Sequence, residues 1–341
     1  AVSRRSRDLD EDDVRVRPGP GSRPRSRLRP AHEGATEGCV VAVDRGRFTC
    51  LVDETRDVVA VRARELGRKA VVVGDRVALV GDVSGRPDTL ARLVRVEPRT
   101  SLLRRSADDT DPVERPIVAN ADQLGIVCAV ANPEPRTRLI DRYLVAAFDG
   151  GLEPLLILTK SDLASPQSLI DNYALLDLRV IVTPRGEPGS ELRELLHDRI
   201  TVLAGNSGVG KSTLINALVP GALRATGDVN EVTGRGRHVS TSTVVLDLPG
   251  GGRVIDTPGV RSFGLAHIDV DRVVAAFPDL QPGTAECPRG CRHQAPDAGV
   301  VVDEEIARCA LDDWVAAGHA DAARLDSLRR LLSIGDRADG E

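Results

Sequence analysis

Hydrophobic and polar positions alternate with a period of two in a region that follows the first 34 residues of the chain. Five such segments lie between residues 35 and 97, separated by Gly and Asp, and they read GCVVAVD, RFTCLVD, VVAVRAR, KAVVVGDRVALVG and TLARLVRVEP. No helical period interrupts them. Consecutive short strands of this kind are typical of a small closed barrel, so we predict an OB-fold β-barrel over residues 35–97.

Two polar segments flank the predicted barrel. Residues 1–34 are charged, rich in Pro, Gly and Ser, and nearly free of core-forming side chains. This composition predicts a disordered basic arm, which is either a solvated tail or an arginine arm that contacts RNA. Residues 98–118 are again polar, and we predict a linker there.

Strand-like apolar runs and helical periods alternate over residues 119–276. The runs are QLGIVCAV, PLLILT, LRVIVT, ITVLAG, TVVLDL and RVIDTPG, and amphipathic stretches such as DRYLVAAFDG and ELRELLHD lie between most of them. This alternation predicts a mainly parallel sheet covered by helices. Residues 277–341 begin with a Cys/His loop and continue with helical periods, which predicts a small helical C-terminal domain.

Composition and charge narrow the class of protein. The net charge of −5 argues against general affinity for nucleic acid. The barrel segments nevertheless carry Arg45, Arg47, Arg56, Arg62, Arg64, Arg68 and Lys69. Phe48 is the one aromatic residue there that could stack on a base, so we expect RNA recognition by backbone or shape. A purely structural barrel is the alternative. No apolar run approaches the roughly 20 residues of a membrane span, and we expect a cytoplasmic protein without a membrane partner.

The stretch LAGNSGVGKSTLINAL contains a phosphate-binding pattern. Its glycines, lysine and serine have the spacing GxxxxGKS between a buried-strand run and a helix start. In such a loop backbone N–H groups converge on phosphate oxygens, Lys211 would neutralise the β- and γ-phosphates, and the Ser212 hydroxyl would bind Mg²⁺. The residues predicted to hold the phosphates are Gly205, Asn206, Ser207, Gly208, Val209, Gly210, Lys211, Ser212 and Thr213.

Two further strand ends carry residues suited to a nucleotide. In VIDTPG, Asp256 would hold Mg²⁺ through water and the Gly259 N–H would meet the γ-phosphate. The LTKSD stretch comprises Leu158, Thr159, Lys160, Ser161 and Asp162. The Asp162 carboxylate would accept N1–H and the 2-amino group of guanine, a pair that adenine does not offer. The TPR turn that starts at Thr183 would contact guanine O6 through its backbone. Together these motifs predict GTP rather than ATP.

The order of the motifs is circularly permuted. The base-reading TKSD motif precedes the phosphate-binding loop, whereas it follows that loop in most GTPases. The parallel sheet can still assemble, because only the connections between strands have moved. The segment after DTPG then leads directly into the C-terminal domain, and from this connectivity we infer that nucleotide state is relayed to that domain.

Several stretches together resemble one known family. They are VVGDRV, NADQL, IDRYLV, TKSDL, GNSGVGKSTLIN, GRGRH, DTPGVRSFGL and FPDL, between about residues 35 and 280. On these stretches the chain resembles the RsgA (YjeQ) family of circularly permuted GTPases, which act in small ribosomal subunit maturation. The resemblance implies an N-terminal OB-fold, a permuted GTPase domain and a C-terminal zinc-binding domain.

The group that positions the attacking water is not the usual one. Many GTPases place a glutamine directly after DxxG, but here Val260 takes that position. His238 in GRGRHVSTST is the best candidate, and the resemblance implicates the same histidine; packing or an RNA contact is the alternative role. The family typically has His-Thr-Thr at this point, so the hydroxyl that binds Mg²⁺ from this segment would come from Ser240 or Thr241.

The resemblance also implies a zinc site of the pattern Cys-x4-Cys-x-His-x5-Cys. Three ligand positions are taken by Cys287, Cys291 and His293, with a first spacing one residue shorter. The fourth position aligns with Gly299, which offers no ligand. A structural zinc takes four ligands, so either Asp297 or the more distant Cys309 completes the site, or zinc is not bound.

These observations lead to one main hypothesis. The chain would be a ribosome-stimulated GTPase that binds the 30S subunit and its 16S rRNA as a monomer. It would assist late maturation and hydrolyse GTP to GDP and phosphate to trigger release. The alternative is a nucleotide-stabilised rRNA-binding assembly scaffold with little hydrolysis.

Overall fold

The computed structural model describes residues 32–66, 70–105, 115–220, 222, 243–257, 263, 265, 268–294 and 309–336. The predicted basic arm lies almost wholly outside these ranges. All helices and strands below belong to the unit Ala35–Glu341. The unit Ala1–Gly34 is described only from residue 32, where it forms a turn.

Five strands close into a barrel. They are β1 (Thr36–Asp44), β2 (Arg47–Val52), β3 (Arg56–Arg62), β4 (Arg76–Gly81) and β5 (Ala91–Val96), in the order β1-β2-β3-β5-β4. The β3–β5 pair is parallel, and the other pairs are antiparallel. The period of two in β2 directs Phe48, Cys50 and Val52 into the interior. The barrel prediction is confirmed.

The suggestion that Phe48 stacks on a base is wrong. Its side chain is 5% exposed and packs in the barrel core with Val40 and Leu93. Phe48, Cys50 and Val52 occupy alternate positions in RFTCLV, so all three side chains lie on the interior face of the strand. Among the described residues, the barrel therefore exposes arginines rather than aromatic rings.

The segment predicted as a polar linker contains two paired strands. β6 (Leu102–Arg105) and β7 (Arg115–Ala119) form an antiparallel pair. Leu103 and Val118 are each 1% exposed and pack against the larger core. These strands are too short to show a period in the sequence, although each contributes a buried side chain.

A six-stranded sheet follows, in the order β10-β9-β8-β11-β13-β12. Its strands are β8 (Gln123–Ala129), β9 (Glu153–Thr159), β10 (Arg179–Val182), β11 (Ile200–Ala204), β12 (Val244–Asp247) and β13 (Arg253–Asp256). β12 alone is antiparallel to its neighbour. Among the described residues, the helices named between these strands are α1 (Thr137–Gly150), α2 (Gln167–Tyr173), α3 (Gly189–Leu196) and α4 (Lys211–Leu218). The predicted parallel sheet is confirmed.

Both faces of this sheet are buried along its central strands. All seven residues of β8 are buried, as expected for a strand covered on both sides. Along β9, Leu155 and Ile157 belong to one apolar cluster, whereas Leu156 and Leu158 belong to another. The sheet therefore forms a rigid frame whose strand ends hold the loops described below.

The VVGDRV and NADQL stretches join the barrel to the sheet. Gly74 has φ +87°, and a Cβ there would lie 1.9 Å from the Ala119 carbonyl oxygen. The Asn120 side chain donates to the Gly74 carbonyl at 2.8 Å and accepts from the Thr100 N–H at 2.9 Å. Because Asn120 is buried, these hydrogen bonds are shielded from water and fix the joint.

The last part of the described chain is helical. It contains α5 (Val270–Val274), a 3₁₀ helix (Gln281–Glu286), α6 (Ala310–Ala316) and α7 (Ala322–Asp336). Arg330 of α7 pairs with the buried Asp141 of α1 at 3.4 Å, and Arg324 pairs with Asp279 at 2.7 Å. The predicted domain boundaries at residues 34, 97, 118 and 276 stay predictions. Within the described ranges, no helix combines the length and apolar content that crossing a membrane requires.

Candidate nucleotide and metal sites

The carboxyl ends of four parallel strands meet around one cavity. The ends of β8, β9, β10 and β11 and the start of α4 enclose a volume of about 920 Å³, within the usual range for small-molecule sites. The predicted residues that line it are Thr159, Lys160, Thr183, Gly205, Asn206, Ser207, Gly208, Val209, Gly210, Lys211, Ser212 and Thr213. Edges of this kind are where open α/β sheets bind ligands.

The phosphate-binding loop connects β11 to α4. A Cβ at Gly205 would lie 2.4 Å from the Val127 carbonyl oxygen, so only glycine fits against β8 there. Gly210 has φ +95° and directly precedes the first residue of α4, Lys211. The first N–H groups of a helix have no intrahelical acceptor, and the residues that begin α4 line the cavity, which favours an anion there.

Lys211, which lines the cavity, forms an ion pair with Asp256. The Lys211 Nζ lies 2.5 Å from the Asp256 Oδ1, and both side chains are 16% exposed. Asp256 ends β13, the strand paired with β11. The predicted phosphate-binding ammonium and the predicted Mg²⁺ carboxylate are therefore brought together.

The TKSD turn is hydrogen-bonded to the phosphate-binding loop. The Thr159 hydroxyl donates to the Val209 carbonyl at 2.5 Å. Lys160 adopts φ +60°, and its Nζ donates to the carbonyls of Gly208, at 2.8 Å, and Asn132. These contacts place the end of β9 beside the loop that follows β11.

The TKSD turn also contacts the TPR turn. The Ser161 N–H donates to the Thr183 carbonyl at 3.3 Å. The Asp162 Oδ1 accepts from the Arg185 N–H at 3.1 Å. The two turns predicted to read the base are therefore adjacent, at the ends of neighbouring strands.

A second group of side chains converges beyond the 3₁₀ helix. Cys287, Cys291, His293 and Cys309 each offer one ligand atom, and these atoms all lie within 4.8 Å of one another. The His293 Nδ1 lies 3.5 Å from the Cys287 Sγ and 3.5 Å from the Cys309 Sγ. The two sulfur atoms are 3.9 Å apart.

This geometry fits a tetrahedral zinc ion. Ligands about 2.3 Å from a tetrahedral centre lie about 3.8 Å from one another, and three sulfurs with one imidazole are a common structural zinc set. Burial lowers the pKa of His293, which favours the neutral form that binds metals. Burial also raises the pKa of the Cys309 thiol to about 12, so a bound cation is what would ionise it.

Cys309 is therefore the fourth member of the group, one of the two completions left open by the sequence. Asp297, the other, lies outside the described residues, as does Gly299, which aligned with the fourth ligand. Cys309 is separated from His293 by 16 positions, far more than the family spacing. It enters the group because it directly precedes α6.

Comparison with known proteins identifies the family. The model of the RsgA GTPase family matches residues 96–266. The Pseudomonas aeruginosa protein named small ribosomal subunit biogenesis GTPase RsgA is 38% identical over 279 residues, which cover 79% of this chain and 77% of that protein. The chain belongs to the RsgA GTPase family. RsgA 1 of Vibrio vulnificus, with the same description, is 35% identical over 275 residues, covering 78% and 74% of the two chains.

Solved structures with the same fold are similar along most of the chain. The circularly permuted GTPase YloQ matches with a TM-score of 0.61 at 24% identity, covering 92% of this chain and 100% of that one. YjeQ from Thermotoga maritima matches with a TM-score of 0.59 at 24% identity, covering 90% and 99%. The circular permutation predicted from the motif order is confirmed, and this RsgA-family chain is a GTPase.

One wall of the RsgA-family cavity was not predicted. Helix α1 contributes Leu139, Ile140 and Tyr143 to the lining. The Tyr143 ring meets the Phe263 ring edge to face, with centroids 5.2 Å apart and an angle of 72°. Both residues fall in stretches that support the family resemblance, IDRYLV and DTPGVRSFGL, but periodicity alone does not separate a cavity wall from core.

Four predicted site residues lie outside the described part of the chain. They are His238, Ser240, Thr241 and Gly259. Val260 lies outside it as well. The roles assigned to these residues in Mg²⁺ binding and water positioning therefore stay predictions.

Proposed function

We propose that this chain hydrolyses GTP to GDP and phosphate while assisting late maturation of the small ribosomal subunit. The observation that carries the proposal is that Thr159 and Lys160 of the TKSD turn and the phosphate-binding loop line one cavity, with Asp256 paired to the cavity residue Lys211. Its relatives are named small ribosomal subunit biogenesis GTPases, and these names supply the proposed partner. The subunit would be bound in the GTP state and released after hydrolysis.

Guanine would be read at the outer end of the cavity. The exposed Asp162 would accept N1–H and the 2-amino group of the base. Lys160, held by the carbonyls of Asn132 and Gly208, would lie along the plane of the ring. Because adenine offers no donor pair of this kind, Asp162 supports GTP over ATP.

Phosphate and Mg²⁺ would replace the ion pair between Lys211 and Asp256. Lys211 would move from Asp256 to the β- and γ-phosphates, and Ser212 with Asp256 would hold Mg²⁺, Asp256 through water. When bound, the ion would supply positive charge that offsets the negative charge developing during transfer. We assign Gly259 to the γ-phosphate and Ser240 or Thr241 to the second hydroxyl ligand.

The attacking water would be oriented by His238. Val260, directly after DTPG, has no group that can hydrogen-bond to water with its side chain. An imidazole can orient water and accept its proton. His238 is therefore the proposed catalytic residue, and its substitution is the most informative test of how the attacking water is oriented.

The barrel and the metal group would contact the ribosomal partner. Arg45, Arg47, Arg62 and Arg64 are exposed on the barrel, and arginines suit contacts with phosphates of 16S rRNA. Zinc would be held by Cys287, Cys291, His293 and Cys309 and would fix the loop against α6. We propose that the chain acts as a monomer in the cytoplasm, where small subunits are assembled, and that affinity falls steeply with salt.

The experiment is GTP hydrolysis by the purified protein with 30S subunits, with 50S subunits and alone. We expect stimulation by 30S but not 50S, and its loss in His238→Ala. Stimulation that survives in His238→Ala would keep the function and remove the catalytic role of His238. Tight GTP-dependent binding to 30S without stimulated turnover would overturn the proposed 30S-stimulated hydrolysis and support an assembly scaffold.

A further inference from the structure

Helix α7 runs beside the metal group, and Arg329 connects it to two sides of that group. The Arg329 Nε donates to the His293 carbonyl at 3.2 Å. Its Nη2 donates to the Asp312 Oδ2 of α6 at 2.8 Å. One guanidinium therefore joins the loop that carries three of the ligands to the helix that begins directly after the fourth, Cys309.

The contact with Asp312 acts close to the Cys309 thiol. Asp312 lies in the first turn of α6, and its N–H donates to the Cys309 carbonyl at 3.3 Å. The Arg329 guanidinium also interacts with the Cys309 thiol itself. A change at Arg329 is therefore felt within one helical turn of the fourth ligand.

The backbone of His293 needs support from its surroundings. It has φ +55°, a left-handed conformation that is uncommon for a residue other than glycine and persists where neighbouring groups hold it. The His293 N–H donates to the Cys291 Sγ at 3.4 Å, and its carbonyl accepts from Arg329. Both backbone polar groups of this ligand are thereby held.

The charge of the metal group also favours a cation beside it. Three thiolates and a neutral imidazole around Zn²⁺ leave one net negative charge, and a charge that is shielded from water requires a partner. The Arg329 side chain is only 14% exposed. Its planar guanidinium presents donors in fixed directions, whereas a lysine ammonium is a point charge on a flexible stem.

We propose that Arg329 is a positioning residue of the zinc site, which holds the His293 loop and the Cys309 end of α6 at the separation that zinc requires. Because Arg329 belongs to α7, zinc binding and the packing of α7 then stabilise each other. The inference rests on the zinc binding proposed above and adds a residue that the ligand spacing does not contain.

Zinc release from the purified full-length protein tests this role. The measurement is the first-order rate at which bound zinc passes to an excess of a chromogenic chelator. Groups that hold metal ligands in place contribute about 10–100-fold to metal affinity, so Arg329→Ala should release zinc at least about fivefold faster than the wild type. Arg329→Lys keeps the charge but loses the planar fork, and its release should be at least about threefold faster.

Arg324→Ala is the matched control. Arg324 lies on the same helix, its side chain is 16% exposed, and it pairs with Asp279 at 2.7 Å. Its other hydrogen bonds in the described part of the chain go to Leu175 and Asp177, away from the metal group. This variant should be less stable in urea, while zinc release stays within about twofold of the wild type.

Hydrogen exchange along α7 tests the coupling with zinc. Removal of zinc from the wild type should speed exchange of the α7 amides, because the helix loses a group that Arg329 holds. In Arg329→Ala the connection is already absent, so zinc removal should change α7 exchange by less than about twofold. An equal change in both proteins would contradict the coupling.

The release rates can overturn the proposal in three ways. Release from Arg329→Ala less than about fivefold faster than the wild type would show that the ligands keep their geometry unaided. A rate for Arg329→Lys less than about threefold above the wild type would leave only an effect of charge. Faster release from Arg324→Ala would mean that any loosening of α7 frees the metal.

A second variant covers the case in which Arg329→Ala does not fold. Asp312→Ala removes the carboxylate that orients the guanidinium, at a side chain that is 45% exposed, and should release zinc at least about twofold faster. A rate equal to that of the wild type would reject the proposal. A wild-type protein that retains no zinc would refute the zinc binding itself, which is a different failure.

Discussion

The nucleotide cavity and the metal group are assembled by different rules. The cavity takes its residues largely from the ends of adjacent strands and from the loops that follow them, whose starting points the sheet determines. The metal group takes three ligands from one loop and the fourth, Cys309, from the start of α6. The residues of the phosphate-binding motif must therefore keep a fixed spacing in the sequence. The metal group requires only that its four side chains lie close together in space.

The largest effect that we predict is the loss of GTP hydrolysis when the Lys211 ammonium is removed from the cavity. Lys211→Ala removes the group expected to neutralise the phosphates, so stimulated GTP hydrolysis should fall about 100-fold or more. Zinc content should not change, because the metal group shares no residue with the cavity. Steady-state turnover and metal analysis measure the two results. Arg179→Ala, an exposed arginine on β10, is the charge-removing control, and turnover of Lys211→Ala within threefold of the wild type would contradict the assignment.

Removal of the fourth metal ligand, Cys309, should impair zinc binding by the metal group. Cys309→Ser leaves three of the four donors, and we expect zinc affinity to fall about 100-fold or more. Metal analysis after dialysis against a weak chelator measures this change. GDP affinity should stay within about twofold of the wild type.

Cys39→Ser is the matched control for that change. Cys39 is a half-buried barrel cysteine outside the metal group, and its replacement should leave zinc bound. Full zinc retention in Cys309→Ser would show that the fourth ligand is another residue. Equal loss of zinc in both variants would mean that cysteine replacement acts through general destabilisation.

The smallest effect that we predict is on stability, and it concerns Asn120, whose hydrogen bonds connect the barrel to the six-stranded sheet. Asn120→Ala removes three hydrogen bonds of a buried side chain, two with Thr100 and one with the Gly74 carbonyl, which loses that donor. We expect a loss of about 1–3 kcal/mol in the free energy of unfolding. Urea denaturation measures this loss, with GDP affinity retained at low urea. Unchanged stability would mean that water replaces the amide and that the joint is not fixed by Asn120.

Much of the cavity could be predicted because local sequence determines its backbone. GxxxxGKS between a strand and a helix admits few conformations, and Gly205 has no room for a side chain. Buried parallel strands appear as apolar runs, so the sheet and its permuted order were also predictable. The barrel followed from the period of two.

The parts that were missed depend on contacts distant in sequence. Strands β6 and β7 are too short to show a period. The wall of α1, including Tyr143, has the same apolar pattern as any core helix. Cys309 lies far from the Cys-x3-Cys-x-His run, and only the packing of α6 brings it back. In each case the deciding contact lies between elements and not within one.

The most direct test of the account is the affinity of the purified protein for GDP and ADP, with Asp162→Asn beside the wild type. If the TKSD turn reads guanine in this cavity, the wild type should prefer GDP by about 100-fold or more, and Asp162→Asn should lose most of that preference. Similar affinities of the wild type for GDP and ADP would contradict the account. The cavity would then bind phosphates without reading a base.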